Sequence, residues 1–429
     1  MDHTNFGTTA SPPCPTVTLP MDIFALIVEQ VDIDDWGTLR SLCLSTRSLG
    51  YEATKRLYRH LDSDLSSDYF QKNLLSTLIS RPDLAAMVRS YAMLDWAIVP
   101  KHTEEELHRL IIEEEKGTGF ELWCEYMGQL LSIMLSKALP LMVNLKELGY
   151  RDRAQGLEAC ALLGSAEFQL EMLDWRNPWD DAVLGFLKRQ RNLKWLRLHP
   201  KDLTTCIVAN PIPRFAIQHL TTLAGKQAVV EAILPYAPGV RNLALHFTDR
   251  QDAVSSIFDV SKEMAKCMGQ LTRFTFHNYC TNISVAAFDG AVDNLEYLAV
   301  GNMVDDNVSL LLSFLLSANV RLDFCQARVT TFVSKLKKLK MFILLRGTRR
   351  TADSLHPLAV DLLRKSQSLE QVVMMDFSQS IGLDGENEDD EPIWSFLLSR
   401  GSDEMQGLSW HDESPQQFLL PLRMEDTLR

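Results

Sequence analysis

The chain has 429 residues, 46% of them hydrophobic, enough to bury a large core and to form roughly two or three domains. Its formal net charge of −13 argues against nonspecific attraction to nucleic acid or an anionic membrane surface. Eight scattered cysteines without a Cys-x-x-Cys pair, and an opening with no charged-then-apolar leader, predict free thiols in a reducing cytoplasmic or nuclear setting.

Residues 1–16 are polar, carry Pro12, Pro13 and Pro15, and read as a disordered tail. From Leu19 to Leu61 the pattern changes to three amphipathic helices with short polar breaks. Pro20 suits a first helical turn, where its missing N–H is one of the orphan donors, and Asp22 complements the positive end of the dipole. Ile23, Leu26, Ile27 and Val31 then recur at three- and four-residue steps. Asp34 or Asp35 is placed to cap a second helix carrying Trp36, Leu39 and Leu42 or Cys43, and Ser45 or Thr46 to cap a third with Leu49, Ala53, Leu57 and Leu61 on one side. Three helices in about forty residues bury too little apolar surface to stand alone, so this unit is expected to dock onto something.

Leu19-Pro20-Met21-Asp22-Ile23, Ile27, Val31, Asp35-Trp36, Leu39 and Cys43-Leu44-Ser45-Thr46-Arg47 match, in order, the pattern of an F-box, and the segment 17–62 resembles that family. Trp36 stands where Leu is commoner. The resemblance implies a non-enzymatic adaptor whose box docks on a Skp-type adaptor and through it on a cullin, delivering a protein substrate to a ubiquitin ligase. It further implies that Leu19, Pro20, Ile23, Ile27, Val31, Trp36 and Leu39 serve adaptor binding, some of them by packing between the box helices. The competing reading is a small helical cap on the domain behind it.

Residues 63–138 read as a helical connector, with helical spacing over Tyr69–Ser80, Thr103–Lys116 and Phe120–Leu139. From 139 to 429 one phrase returns: Asn144-Leu145-Lys-Glu-Leu148, Gln169-Leu170-Glu-Met-Leu173, Asn192-Leu193-Lys-Trp-Leu196, Asn242-Leu243-Ala-Leu245, Gln270-Leu271-Thr-Arg-Phe274, Asn294-Leu295-Glu-Tyr-Leu298, Lys338-Leu339-Lys-Met-Phe342 and Ser368-Leu369-Glu-Gln-Val372. His219-Leu220 is a candidate head for a further copy in the long gap between 193 and 243. Amphipathic segments precede many copies: Asp181–Gln190, Val229–Tyr236, Val308–Leu316, Phe332–Lys338 and Val360–Arg364. Intervals of roughly 23 to 30 residues belong to leucine-rich-repeat solenoids of one strand and one helix per unit, which stack to bury a core no single unit could bury. The expected fold class is therefore α/β: a three-helix box, a helical connector and an irregular leucine-rich-repeat-like solenoid whose concave strand face holds a protein substrate. A generic α/β fold is the alternative architecture, and a repeat scaffold outside any ligase the alternative function.

No catalytic motif is present: there is no Gly-x-Ser-x-Gly elbow, phosphate-binding Gly-rich loop or His-Glu-x-x-His helix. Ala224-Gly225-Lys226-Gln227 lacks the residues that cradle phosphate, and His277 with Cys280 supplies only two of the four ligands a closed zinc site needs. In the acidic run Asp384–Glu391, Asp389 occupies the calcium-loop position that requires Gly, so the run reads as a solvated loop before a helix at Ile393–Ser399. No metal, cofactor or membrane span is expected; the apolar run Val308–Val320 is too short to cross a bilayer. Lys335, Lys337, Lys338, Lys340, Arg346, Arg349 and Arg350 form a basic cluster. It reads either as a solvated face or, through Arg346, Arg349 and Arg350, as a docking patch for an acidic or phosphorylated substrate segment.

Overall fold

A phrase such as Met142-Val-Asn-Leu145-Lys-Glu-Leu148-Gly-Tyr150 encodes a turn followed by a strand. Three-residue spacing keeps Met142 and Leu145 on one side of a tight turn, and two-residue spacing puts Leu148 and Tyr150 on one strand face. The computed structural model describes residues 20–32, 35–62, 68–93, 119–150, 162–177, 181–198, 217–246, 257–258, 262–277, 282–284, 292–300, 303–304, 330–346, 352–376, 395–400 and 406–408, and repeats this unit along the chain. The N–H that enters each strand segment closes the turn onto the carbonyl three residues back: Val88 to Ala85 (3.1 Å), Leu145 to Met142 (2.9 Å), Leu220 to Ile217 (3.1 Å), Val240 to Ala237 (3.1 Å), Leu271 to Met268 (2.9 Å) and Leu295 to Val292 (3.1 Å).

The strands are β1 (His60–Asp62), β2 (Ser90–Met93), β3 (Glu147–Tyr150), β4 (Met172–Trp175), β5 (Trp195–Leu198), β6 (Thr222–Gly225), β7 (Asn242–His246), β8 (Ile257–Phe258), β9 (Arg273–His277), β10 (Asn282–Ser284), β11 (Tyr297–Val300), β12 (Met303–Val304), β13 (Met341–Arg346), β14 (Gln371–Asp376), β15 (Ser395–Ser399) and β16 (Gln406–Leu408). The helices are α1 (Met21–Glu29), α2 (Trp36–Cys43), α3 (Arg47–Arg59), α4 (Asp68–Ser80), α5 (Pro82–Ala85), α6 (Gly119–Ala138), α7 (Asp181–Leu187), α8 (Gln227–Ile233), α9 (Lys262–Met268) and α10 (Ala352–Lys365). One thirteen-stranded sheet takes its strands in chain order, β1-β2-β3-β4-β5-β6-β7-β9-β11-β13-β14-β15-β16, while β8, β10 and β12 form a second, three-stranded sheet. Every pairing from β1 to β14 is parallel; β15 and β16 join antiparallel. Parallel neighbours in strict sequence order require a crossover between each pair, and helices fill many of them. The result is an α/β architecture with the one-step progression of a solenoid-like repeat.

A second regularity is written in the main chain. In each coil the carbonyl just before the strand accepts two N–H groups from the next coil: Arg89 O takes Lys146 N (2.8 Å) and Glu147 N (3.0 Å), Lys146 O takes Glu171 N (2.7 Å) and Met172 N (3.0 Å), and Glu171 O takes Lys194 N (2.8 Å) and Trp195 N (3.1 Å). The pattern continues through Lys194, Thr221, Arg241, Thr272, Glu296 and Lys340. It fixes the register, so Leu148, Leu173, Leu196, Leu223, Leu243, Phe274, Leu298, Phe342 and Val372 form one continuous buried column. Full burial of each such side chain contributes about 1.5–3 kcal/mol.

Several expectations change in detail. Leu61 does not extend the third helix: α3 ends at Arg59, His60 is extended, and Leu61 is the middle of β1. The sheet thus starts upstream of 139, inside the box and connector segments. The copy at 242 is displaced: Leu243 pairs with Leu223, so Val240-Arg-Asn-Leu243 is the true phrase, and His219-Leu220-Thr-Thr-Leu223 heads a coil as expected. Ser395–Ser399 is a strand rather than part of a helix, because its short apolar run completes a sheet edge by pairing with β14. The segments 103–116 and 308–316 lie outside the described residues.

At Leu170 the turn bond is replaced by a side chain of the next coil. Gln190, fully buried, stands where other coils place an apolar residue such as Met142 or Ile217. Its Oε1 accepts from Leu170 N (2.7 Å) and its Nε2 donates to Phe168 O (3.3 Å). Gln190→Leu strands both groups, and each unmade bond costs about 1–3 kcal/mol. Urea denaturation is expected to show a lower midpoint for Gln190→Leu at an unchanged slope.

Candidate partner-docking surfaces

The local sequence explains each end of the three-helix unit. Pro20 precedes α1; Asp35 caps α2 by accepting from Thr38 N (3.0 Å); Thr46 caps α3 by accepting from Leu49 N (3.3 Å). Hydrogen bonds from the Thr38 side chain and backbone hold the Asp35 carboxyl below its ordinary value. Helix α3 packs on both α1 and α2. Gly50 makes the second contact possible, since a Cβ there would lie 2.8 Å from the Cys43 carbonyl oxygen. Arg56 Nη2 donates to Val31 O (2.7 Å), tying the end of α1 to α3.

The unit has a small core of its own, Val28, Leu39 and Ala53, with Val31, Leu42, Cys43, Leu49 and Leu57 packed around it, separate from the main core. That core leaves much apolar surface uncovered. Met21, Ile23, Leu26, Ile27, Trp36, Leu44 and Tyr51 are all exposed, Trp36 at 55% and Leu44 at 82%. Among the described residues, most of the exposed large apolar side chains lie in this short unit. Patches of this kind mark interaction sites rather than ordinary surface. Of the residues expected to face an adaptor, Pro20, Ile23, Ile27 and Trp36 are exposed and Val31 is half-buried. Leu39 is one that packs between the helices: it is 0% exposed, because the three-residue step from Trp36 turns it toward Val28 and Ala53. Leu19 lies outside the described residues.

A second surface is the sheet face opposite the main core. Met172, Trp195, Ala224 and Ala244 cluster there. Asp174 is almost wholly buried and holds two guanidinium groups, Arg197 at 3.2 Å and Arg176 at 3.3 Å. Arg197 also lies over the Trp195 ring at 5.3 Å, and Arg273 over Tyr297 at 6.0 Å. Burial pushes Arg197 below the ordinary arginine value, opposed by the Asp174 charge. Register joins these residues: Asp174 pairs with Arg197 across β4 and β5, and Trp195 is the neighbour of Met172. The fourth residue of each repeated phrase and the one two positions after it, compared copy by copy, carry the signal for this face.

Little of the expected arginine docking patch falls on described residues. Arg346 ends β13, while Arg349 and Arg350 lie outside the described residues. Lys338 donates to Asn294 Oδ1 (2.7 Å) and Lys340 pairs with Glu296 (3.0 Å), so these two lysines bind the neighbouring coil. His277 ends β9, and Cys280 lies outside the described residues; no group of three or more metal-ligating side chains occurs among the described residues. No described helix is long and apolar enough to cross a membrane. No family model matches the chain, and no curated protein sequence matches it.

Two substitutions separate core from surface in the three-helix unit. Leu39→Ala is expected to destabilise it by about 2–5 kcal/mol, the range for a fully buried leucine. Trp36→Ala is expected to change stability by no more than about 0.5 kcal/mol, as an exposed position does. Thermal unfolding followed by circular dichroism checks both.

Proposed function

We propose that this chain is the substrate-recognition subunit of a Skp–cullin–F-box type ubiquitin ligase, acting in the cytoplasm or nucleus. In this reading α1–α3 are the F-box and dock on a Skp-type adaptor through Pro20, Ile23, Ile27 and Trp36. The coils behind them are degenerate leucine-rich repeats that hold a protein substrate on the outward strand face. The chain itself performs no covalent chemistry; it positions substrate lysines toward a ligase carried by the cullin.

One observation carries the proposal. The positions that fit the F-box pattern are largely those whose apolar side chains stand uncovered, on a unit with its own separate core. A helical cap whose purpose was to close the sheet would bury those side chains against the main core instead. The Asp174–Arg197–Trp195 group supports the substrate side, since aromatic and arginine side chains are the commonest anchors of protein interfaces.

A pull-down of the full chain with a purified Skp-type adaptor tests the reading. Wild type is expected to be retained, and Trp36→Ala to lose about 2–4 kcal/mol of binding, roughly 30- to 700-fold in Kd. Leu19→Ala/Pro20→Ala should also lose retention. Failure of folded wild-type protein to bind would leave a repeat scaffold outside any ligase as the better description.

A further inference from the structure

The residues whose carbonyls carry the main-chain ladder also form a column of side chains on one edge of the sheet: Arg59, Arg89, Lys146, Glu171, Lys194, Thr221, Arg241, Thr272, Glu296, Lys340, Glu370 and Arg400, each donating its N–H to the one before. Neighbours in this column are one strand spacing apart, about 4.8 Å. Over most of its length charged neighbours alternate in sign. Glu171 bridges Lys146 (2.6 Å) and Lys194 (2.7 Å), and both lysines hold its carboxyl below the ordinary value. Glu296 pairs with Lys340 at 3.0 Å. Arg241 sits between two threonines.

The exception is the end next to the three-helix unit, where Arg59, Arg89 and Lys146 follow one another with no acid between them. Lys146 is taken by Glu171, but the buried Arg59 Nε has no hydrogen-bond partner, and the exposed Arg89 guanidinium is in no ion pair among the described residues. The charged and titratable groups around them are Arg56, His60, Glu29 and Glu147. Arg56 adds positive charge, and its Nε also lacks a partner. Neither carboxylate comes within ion-pair distance. Burial pushes Glu147 above its ordinary value. His60 is held down to about 4, by burial first and then by Arg59, Arg56 and Arg89, so it adds no charge at neutral pH but registers the uncompensated field.

We infer that Arg59 and Arg89, adjacent in the column, form a docking site for an acidic segment of a protein partner, a carboxylate of which bridges the two cations as Glu171 bridges Lys146 and Lys194. The choice of carboxylate follows from the column itself, which pairs its stacked cations with glutamates. Arginine forks bind carboxylates bidentately, so two stacked forks suit a run of Asp or Glu better than an isolated acid. The rest of the molecule sharpens the site: at net charge −13 the general field repels an acidic peptide, so capture must be local. The inference is independent of the ubiquitin-ligase reading, since it needs only that some partner approach this end of the sheet.

The test uses the full chain and a fluorescein-labelled hexaglutamate peptide, followed by anisotropy at low ionic strength. Wild type should bind and Arg59→Gln/Arg89→Gln should weaken binding at least tenfold, while Lys335→Gln/Lys337→Gln, in the other basic cluster, should bind as wild type does. Arg59→Lys/Arg89→Lys, which keeps the charge, should bind between wild type and the glutamine pair. Because the ladder uses only the backbone of Arg59 and Arg89, the variants should melt like wild type. In the same Arg59→Gln/Arg89→Gln protein the His60 pKa, read by NMR, should rise above about 4 by the part that the two arginines contribute, burial and Arg56 still holding it below the ordinary value. No binding by wild type, equal binding by the glutamine pair, or displacement by inorganic phosphate beyond that given by chloride at equal ionic strength would each overturn the assignment.

Discussion

One backbone oxygen per coil, shared between two N–H groups of the next, is the contact on which this molecule depends. It appears at Arg89, Lys146, Glu171, Lys194, Thr221, Arg241, Thr272, Glu296 and Lys340, whatever the side chain. Side chains at these positions are free to vary because only their main chain is used. Register follows from it, and with register the separation of the two faces: a slip of one residue would exchange the buried Leu148–Leu173–Leu196 column for Glu147, Met172 and Trp195. The α/β architecture therefore rests less on any one packing contact than on repetition of one main-chain geometry, and each added coil buries apolar surface that its predecessor would otherwise leave open.

That repetition was legible because it needs apolar residues at fixed steps. Leu145, Leu170, Leu193, Leu271, Leu295, Leu339 and Leu369 are all fully or almost fully buried, and all sit in phrases visible in the sequence. The copy at 242 was misaligned because Asn242-Leu243 mimics the head of a phrase whose actual turn residue is Val240. β1 and β2 were invisible for a related reason: Val88-Arg89-Ser90-Tyr91 has the right spacing, but its tyrosine replaces the expected leucine. The caps Asp35 and Thr46 were readable because capping is local chemistry. The outward face was not. Asp174, Arg197 and Trp195 lie more than twenty positions apart in part, and only the register joins them. Leu39 shows the limit of periodicity in a small unit, since the stripe that faces a partner and the stripe that faces the unit's own core differ by less than one helical turn.

The three-helix unit illustrates what a small core does and does not achieve. Val28, Leu39 and Ala53, a glycine contact at Gly50 and one arginine reaching the Val31 carbonyl fix the helices relative to one another. Those few contacts define a shape without covering it. Exposed Ile23, Leu26, Ile27 and Trp36 raise the free energy of the isolated chain in water by an amount that association with a partner can recover. This is the physical sense in which the proposed function gives the unit a second polypeptide to bind, and it is why its surface residues, rather than its core residues, carry that reading.

The two ends of the sheet solve the problem of an open edge in opposite ways. At the far end Arg400 occupies the ladder position, donating its N–H to Glu370 O, and its guanidinium reaches back to the carbonyls of Leu369 (2.9 Å from Nε) and Ser366. Arg400 directly follows β15, which runs antiparallel to β14 and to β16, a geometry that cannot propagate another parallel coil. Arginine there closes the stack by satisfying acceptors within the molecule. At the near end arginine also occupies the ladder position, but Arg59 Nε has no hydrogen-bond partner and Arg89 is in no ion pair among the described residues. The same residue type at equivalent positions is a cap in one place and an unfilled charge in the other. The difference lies in what each arginine can reach: Arg400 has carbonyls of the preceding coil within reach, while Arg59 and Arg89 are neighbours of like charge in the column with no acid beside them, and only an acid brought from outside supplies the counter-charge that Glu171 gives Lys146 and Lys194.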